Sequence, residues 1–222
     1  KMTNKLILTK STLQEKLNTD DLQSVTEIDL VVNAAEQSLN LLLQHCPNLQ
    51  LLNLTNSLLQ LCDIPAFENL QKLLLVNCQI VSVDGLYNFP NLTHLVLANN
   101  KIDDLSPFLD SSSIMYLDLS DNKLTDINQL NYITHLPLEQ LLLENNEFKY
   151  KEFVQQKFPN IEVDRCDYEI QKRCEVNEEQ ECVNGEVQIN VDEKSIYLLS
   201  NKDLWGSPYS LLLHKKKMGR QQ

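Results

Sequence analysis

The chain has 222 residues, of which 42% are hydrophobic, enough for the core of one folded unit with an appendage. Its formal net charge of −12 argues against nucleic acid as the main ligand, because phosphate binding depends on clustered Lys and Arg, and favours a basic protein or peptide. No window approaches the ~20 apolar residues of a membrane span, and residues 1–10 lack the apolar run of a secretory signal, so we expect no membrane partner.

Residues 1–24 are predicted to form an N-terminal helical cap. Ser11 precedes Thr12-Leu13-Gln14-Glu15-Lys16-Leu17, and a serine before such a segment is typical of the N-cap of a short helix. We therefore expect the chain to begin with a helix that covers one end of the folded unit.

Residues 25–148 repeat the pattern L-x-x-L-x-L-x-x-[N/C]-x-[L/I] about six times. The copies start at residues 25, 49, 70, 92, 114 and 138, in steps of 24, 21, 22, 22 and 24, and the first copy is degenerate. This periodicity is that of a leucine-rich repeat. It predicts an α/β solenoid with short parallel strands on the concave face and 3₁₀ or short helices on the convex face.

The ninth position of each copy carries a residue to which we assign a structural role only. A small polar side chain there can satisfy backbone groups that the tight turn leaves without partners. The residues at this position are Asn33, Ser57, Cys78, Asn100, Asn122 and Asn146.

The concave face carries the candidate partner-binding residues. If the sheet is open, Leu51, Leu74, Val76 and Val96 would form an exposed apolar patch rimmed by polar groups, which is typical of a protein-binding site. Strand residues of this kind also occur where no partner binds. We favour binding, with Tyr116 as the central aromatic contact. The predicted contact residues are Leu51, Lys72, Leu74, Val76, His94, Val96, Tyr116, Asp118 and Leu142.

Residues 149–166 are predicted to cover the other end of the stack. The spacing of Tyr150, Val154, Pro159 and Asp164 resembles a cap shared by the spliceosomal A-prime protein, an axonemal dynein light chain and mRNA-export receptors. The segment before Asp164 is one residue shorter than in those caps.

Two further segments come after the cap. Residues 167–195 are Glu-rich and without apolar periodicity, which predicts an extended acidic linker. Residues 196–222 combine bulky apolar residues with a run of three lysines at 215–217, and we expect a docking motif that binds a partner or folds back onto the solenoid. The residues of this tail motif are Trp205, Gly206, Ser207, Pro208 and Leu212.

The sequence gives little support for catalysis. The four histidines lie in separate repeats or in the tail, no Gly-rich phosphate loop occurs, and the six cysteines form no CxxC pair. We therefore expect no catalytic residues, no metal, no cofactor and no small-molecule substrate. Free thiols are typical of a reducing compartment, which favours a cytoplasmic or ciliary location.

The order of segments also resembles a ciliary family of leucine-rich-repeat proteins required for maturation and transport of outer dynein arms. The similar stretches are Asp20-Asp21-Leu22, Ser38-Leu39, Pro47-Asn48-Leu49, Asp84-Gly85-Leu86, Pro90-Asn91-Leu92, residues 99–107, Leu117-Asp118-Leu119 and Gly206-Ser207-Pro208-x3-Leu212. The resemblance implies a non-catalytic adaptor, cytoplasmic and ciliary and associated with the axoneme. It implies outer-arm dynein chains as partners, with intraflagellar transport proteins as further candidates.

Two other functions stay open at this point. The cap and the repeat type also fit a protein-binding subunit of a ribonucleoprotein, similar to the spliceosomal A-prime protein. The short intracellular repeat type equally fits a regulatory subunit of a protein phosphatase. The acidic balance counts modestly against the ribonucleoprotein alternative.

Overall fold

A computed structural model of the chain describes residues 8–164. Its centre is a parallel sheet of seven strands whose spatial order is the same as their order along the chain. The strands are β1 (Glu27–Asp29), β2 (Leu51–Asn53), β3 (Lys72–Leu74), β4 (His94–Val96), β5 (Tyr116–Asp118), β6 (Gln140–Leu142) and β7 (Glu162–Val163). Each strand contributes one layer of a solenoid, so the predicted leucine-rich-repeat fold is confirmed.

The middle residue of each full strand points into the main hydrophobic core. Successive side chains alternate between the two faces of a strand, so the neighbours of this residue lie on the concave face. Full burial of one such aliphatic side chain stabilises the fold by roughly 1.5–3 kcal/mol. The six core residues, Ile28, Leu52, Leu73, Leu95, Leu117 and Leu141, are 0–1% exposed.

Short helices return the chain on the convex side, as the three-residue spacing of apolar residues predicts. The α-helices are α1 (Lys10–Leu17), α2 (Asn40–His45) and α3 (Lys151–Lys157). The 3₁₀ helices are Leu22–Ser24, Leu61–Asp63, Leu86–Asn88, Ser106–Asp110 and Ile127–Ile133. The buried residues of all these helices belong to the main core, so none of the helices within residues 8–164 packs on the concave face.

The N-terminal helix begins two residues earlier than predicted. The N-cap of α1 is Thr9 and not Ser11, because Thr9 Oγ1 accepts the backbone N–H of Thr12 at 3.1 Å. The Thr12 hydroxyl in turn accepts the backbone N–H of Thr9 at 2.9 Å. This reciprocal pair satisfies two amides at the helix start, while Leu13 anchors the helix on the core.

The ninth-position side chains satisfy backbone groups, as expected, and in the later repeats they also connect neighbouring repeats. Asn100 Nδ2 donates to the carbonyls of Leu75 and Leu97 at 2.7 and 2.9 Å, and Asn100 Oδ1 accepts the backbone N–H of Cys78 and Ile80, both at 3.0 Å. Such bonds satisfy backbone groups that water cannot reach.

Asn122 and Asn146 repeat this arrangement in the next two repeats. Asn33 also satisfies a backbone group, but within its own turn: its Oδ1 accepts the amide of Ala35 at 3.1 Å. The Val32 amide, which precedes it, instead donates to Ser57 Oγ of the second repeat.

The C-terminal cap consists of α3 and β7. Strand β7 pairs with β6 through Leu141 and Val163, and the Leu143 amide donates to Asp164 Oδ1 at 3.0 Å. The Tyr150 hydroxyl donates to Asp164 Oδ2 at 2.6 Å. The shorter segment before Asp164 therefore still brings this carboxylate to the end of the sheet.

The acidic linker and the tail motif, including Trp205, Gly206, Ser207, Pro208 and Leu212, lie outside the described residues. The domain boundaries assigned from the sequence stay predictions. Within residues 8–164, none of the helices is both long and apolar enough to cross a membrane.

Candidate functional site: the concave sheet face

The register of the sheet brings the predicted contact residues together on one face. Leu51, Lys72, His94 and Tyr116 are consecutive partners in the first row across β2 to β5. A second row, two residues further along each strand, consists of Asp29, Asn53, Leu74, Val96, Asp118 and Leu142. All the predicted concave residues except Val76, which follows β3, therefore lie in two adjacent rows of one sheet.

The apolar members of this face form a second hydrophobic cluster, separate from the main core. In the whole chain these side chains are only 0–6% exposed, so the prediction of an exposed apolar patch is wrong. The cluster consists of Leu51, Leu74, Val76, Val96, Ala98, Tyr116 and Leu142. Its rim is more accessible, because Lys72, His94 and Gln140 in the first row are partly exposed.

His94 and Tyr116 hold the centre of the first row. Their rings stack with centroids 5.8 Å apart and planes 14° from parallel. The His94 ring also contacts the hydroxyl of Thr93, with Nδ1 and Oγ1 2.9 Å apart. The stacking fixes both rings on neighbouring strands, with His94 partly exposed at the rim and Tyr116 buried in the apolar cluster at 3% exposure.

Carboxylates occupy one end of the face, where β5, β6 and β7 finish. Asp118 lies on β5 between Val96 and Leu142, Asp121 and Glu144 follow β5 and β6, and Asp164 follows β7. The Asp121 amide donates to the Glu144 carbonyl at 2.8 Å, which holds the two turns side by side. We call these four residues the carboxylate pocket.

Asp118 is the buried member of the carboxylate pocket, with 0% of its surface exposed. Its Oδ1 accepts the hydroxyl and the amide of Ser120 at 2.6 and 2.9 Å, whereas its Oδ2 is buried with no hydrogen-bond partner. Asp121 Oδ2 is likewise buried without a partner. Uncompensated buried oxygens are costly, so the pocket is short of donors.

Burial raises the pKa values of three members of the carboxylate pocket, and repulsion from neighbouring carboxylates adds to the shift at Asp118 and Glu144. Burial, with repulsion from Asp121 and Asp164, raises the pKa of Asp118 to about 6. Burial likewise raises the pKa of Asp121 to about 6, and burial with the charges of the other three raises the pKa of Glu144 to about 7. The pocket therefore favours either bound protons or a nearby cation.

Sequence reasoning named Asp118 but missed Asp121, Glu144 and Asp164 as parts of a site. The spacing of the repeats could have indicated these residues, because residues that follow the ends of adjacent parallel strands meet at one edge of the sheet. Glu144 and Asp121 occupy such positions.

The described residues offer little chemistry of any other kind. Residues 8–164 contain no group of His, Cys, Asp and Glu side chains that could hold a metal ion. Cys46, Cys62 and Cys78 are free thiols, and burial raises the pKa of Cys78 to about 12. The geometry within this part of the chain supports binding and offers no nucleophile activated by a neighbouring base.

Comparison with known proteins gives the same fold. Residues 68–110 match the family model for leucine-rich repeats in two copies. No curated protein matches the chain's sequence. Among solved structures, the chain is similar to a leucine-rich-repeat protein of Leptospira interrogans, with a TM-score of 0.54 and 22% identity over 72% of this chain and 41% of that one.

An internalin of Listeria monocytogenes is also similar, with a TM-score of 0.47 and 18% identity over 65% of this chain and 49% of that one. The chain thus spans less than half the length of either solved structure. The strand order, the repeat match and the Leptospira structure together show the architecture: the described part of this chain is a leucine-rich-repeat solenoid.

Proposed function

We propose that this protein is a non-catalytic adaptor in the assembly, maturation or ciliary transport of outer-arm axonemal dynein. Leucine-rich-repeat domains generally mediate protein–protein interaction, and such proteins are typically scaffolds without catalytic activity. The observation that carries the dynein assignment is the order of sequence stretches similar to the ciliary family, from Asp20-Asp21-Leu22 to Gly206-Ser207-Pro208. Its partners would be outer-arm dynein chains and intraflagellar transport proteins, in the cytoplasm and the cilium.

The concave face is the proposed contact surface. Its first row places Lys72 and the stacked His94 and Tyr116 on adjacent strands, with a buried apolar cluster beneath the rim. Because the cluster is buried in the whole chain, a partner would first meet the partly exposed rim. A rigid sheet supplies contacts of this kind with little loss of conformational entropy on binding.

The test is affinity purification of the tagged full-length chain from the cytoplasm of ciliated cells, read by mass spectrometry. Lys72→Glu reverses a charge on the rim of the face, and Lys101→Glu makes the same change at an exposed position after β4. We expect outer-arm dynein chains to be enriched with the native chain and with Lys101→Glu, and at least about tenfold less with Lys72→Glu, which corresponds to about 1.4 kcal/mol.

The outcomes separate the parts of the proposal. Equal dynein enrichment with both variants would show that dynein does not contact the concave face at Lys72. Spliceosomal or phosphatase subunits in place of dynein would discard the adaptor function and leave the fold intact. The Tyr150–Asp164 cap resembles that of the spliceosomal A-prime protein, which makes a ribonucleoprotein subunit the second candidate.

A further inference from the structure

We propose that the carboxylate pocket is a docking site for the chain's own basic segment, Lys215–Lys217, which binds there through its ammonium groups. The pocket lies at one end of the concave face and joins Asp118, Asp121, Glu144 and Asp164 from three adjacent strand ends.

The buried oxygens of the pocket call for a donor. Asp118 Oδ2 and Asp121 Oδ2 are buried and without hydrogen-bond partners, while the other oxygen of Asp118 is already used by Ser120. An ammonium group has three donors and a positive charge, so a lysine side chain at the partly exposed Asp121, Glu144 and Asp164 can offset the charge that the buried Asp118 adds to the pocket. Neutral donors would leave the repulsion among the four carboxylates unchanged.

The raised pKa values of the pocket show that its negative charges are not offset by the other described residues. Asp118, Asp121 and Glu144 have pKa values raised to between about 6 and about 7. The charged and titratable groups around them are Asp164 after β7, the Tyr150 hydroxyl, and Lys151 at the start of α3. Lys151 lowers the pKa of Glu144 less than burial and the three acidic neighbours raise it.

The chain's own sequence supplies a matching occupant. Lys215–Lys217 is the one run of three basic residues in the 222-residue sequence, and Leu211–Leu213 lies just before it. The pocket has the same arrangement, because Asp118 lies beside the apolar cluster through Val96 and Leu142. The order of apolar residues and then lysines in this segment is thus complementary to the apolar cluster and the carboxylates that adjoin it.

The chain connection allows this contact. Asp164 is both a member of the pocket and the last described residue, and Lys215 lies 51 positions further along the chain. Even at the helical rise of 1.5 Å per residue this stretch reaches about 75 Å, whereas β5 and β7 are about 10 Å apart. A tethered segment also has a high effective concentration, so a weak contact suffices.

The experiment uses the full chain and limited trypsin digestion, with mass spectrometry to follow cleavage at Lys215–Lys217. A second chain carries Asp118→Asn, Asp121→Asn and Glu144→Gln, which keep side-chain size and remove charge. We expect cleavage at the three lysines to become about tenfold faster in this variant at low salt, while cleavage at Lys10 and Lys16 keeps its rate. Equal cleavage of the three lysines in both chains would overturn the proposal.

A second measurement keeps the test independent of the variant's folding. Carbodiimide joins a carboxylate to an amine in direct contact, so we expect cross-links in the native chain from Lys215–Lys217 to Asp121 or Glu144. Mixing labelled and unlabelled chains distinguishes sources, because mixed-label cross-links would identify a second copy as the occupant and contradict docking within one chain. Cross-links of these lysines to other carboxylates only would also reject the site.

Discussion

The Tyr150 hydroxyl lies 2.6 Å from Asp164 Oδ2 and donates to it, which ties the start of the C-terminal helix to the end of the last strand. Tyr150 is only 9% exposed, so water cannot readily replace the bond. We expect Tyr150→Phe to lower the free energy of unfolding by about 1.5–3 kcal/mol, because a hydrogen bond to a charged group is lost. Urea denaturation measures the change.

The matched control for this substitution is Tyr87→Phe. Tyr87 lies on the convex side and is 67% exposed, so removal of its hydroxyl leaves no buried group unpaired. Equal stability of Tyr150→Phe and the native chain would show that the hydroxyl does not hold the cap.

Asn100→Ala tests the connection between repeats. The substitution removes the hydrogen bonds that Asn100 makes to five buried backbone groups. These groups are the amides of Cys78 and Ile80 and the carbonyls of Leu75, Leu97 and Ala98. Because each unsatisfied buried group costs about 1–3 kcal/mol, we expect a loss of at least ~3 kcal/mol. Asn91→Ala is the control, since Asn91 donates one exposed bond to the Glu68 carbonyl, and its loss should cost about 1 kcal/mol or less.

Gly85→Ala tests a turn that only glycine fits well. Gly85 has φ of +109°, and an added Cβ would lie 3.1 Å from Cα and N of Cys62, which are backbone atoms. Left-handed strain and the close approach act together, so we expect a loss of about 1–3 kcal/mol. Thermal unfolding followed by circular dichroism measures it, and an unchanged melting temperature would contradict the close packing of these two repeats.

With Lys215, Lys216 and Lys217 all replaced by Gln, no ammonium group from this segment can offset the pocket's charge, and stability should fall as pH rises through the range set by the carboxylate pocket. Asp118 and Asp121 have folded-state pKa values of about 6 and Glu144 of about 7, above the ordinary values near 4. The folded state therefore binds more protons than the unfolded state between about pH 4 and 7, and stability is lost across that window as pH rises.

Asp118→Asn keeps the Oδ1 acceptor of Ser120 and removes one charge. In the chain whose Lys215, Lys216 and Lys217 are replaced by Gln, we expect the added Asp118→Asn change to raise stability at pH 7.5 by about 1–2 kcal/mol and to make the pH dependence shallower. Urea denaturation at pH 5 and pH 7.5 measures both. If the stability of the chain with the three Lys→Gln changes rose over that range, the raised pKa values would be contradicted.

Two cysteines of neighbouring repeats, Cys62 and Cys78, should differ in the rate at which a thiol reagent labels them. Cys62 is exposed, whereas Cys78 is fully buried, donates to the Leu54 carbonyl at 3.1 Å and has a pKa raised by burial to about 12. Because the thiolate is the reactive form, iodoacetamide should label Cys62 in the folded protein and Cys78 only after unfolding. Peptide mass mapping reads each site, and rapid labelling of native Cys78 would contradict its burial.

The fold could be predicted from the sequence because the repeat constrains it many times over. The spacing of Leu73, Leu95 and Leu117 sets the strand positions, and the observed register pairs these three residues in order. The N-cap of α1 was misplaced because Thr9 and Ser11 are equally good capping residues, and only the contact of Thr9 with Thr12 distinguishes them.

The candidate site could be predicted only in part. Alternation along strands placed Lys72, His94 and Tyr116 on one face, which is a local property of the chain. The exposure of that face depends on everything packed against it, so the sequence alone could not show that Val96 is 0% exposed. The carboxylate pocket was missed because it joins three turns that are separate in the sequence.

The strand order has a consequence for how the protein forms. Since β1 to β7 follow one another in space as in the chain, every strand pairs only with its neighbours in sequence. Folding can then spread from one repeat to the next, and stability behaves as a sum of single-repeat and nearest-neighbour terms. Damage at an end would unravel that end first, whereas a weakened middle repeat would divide the protein into two halves that melt at different temperatures.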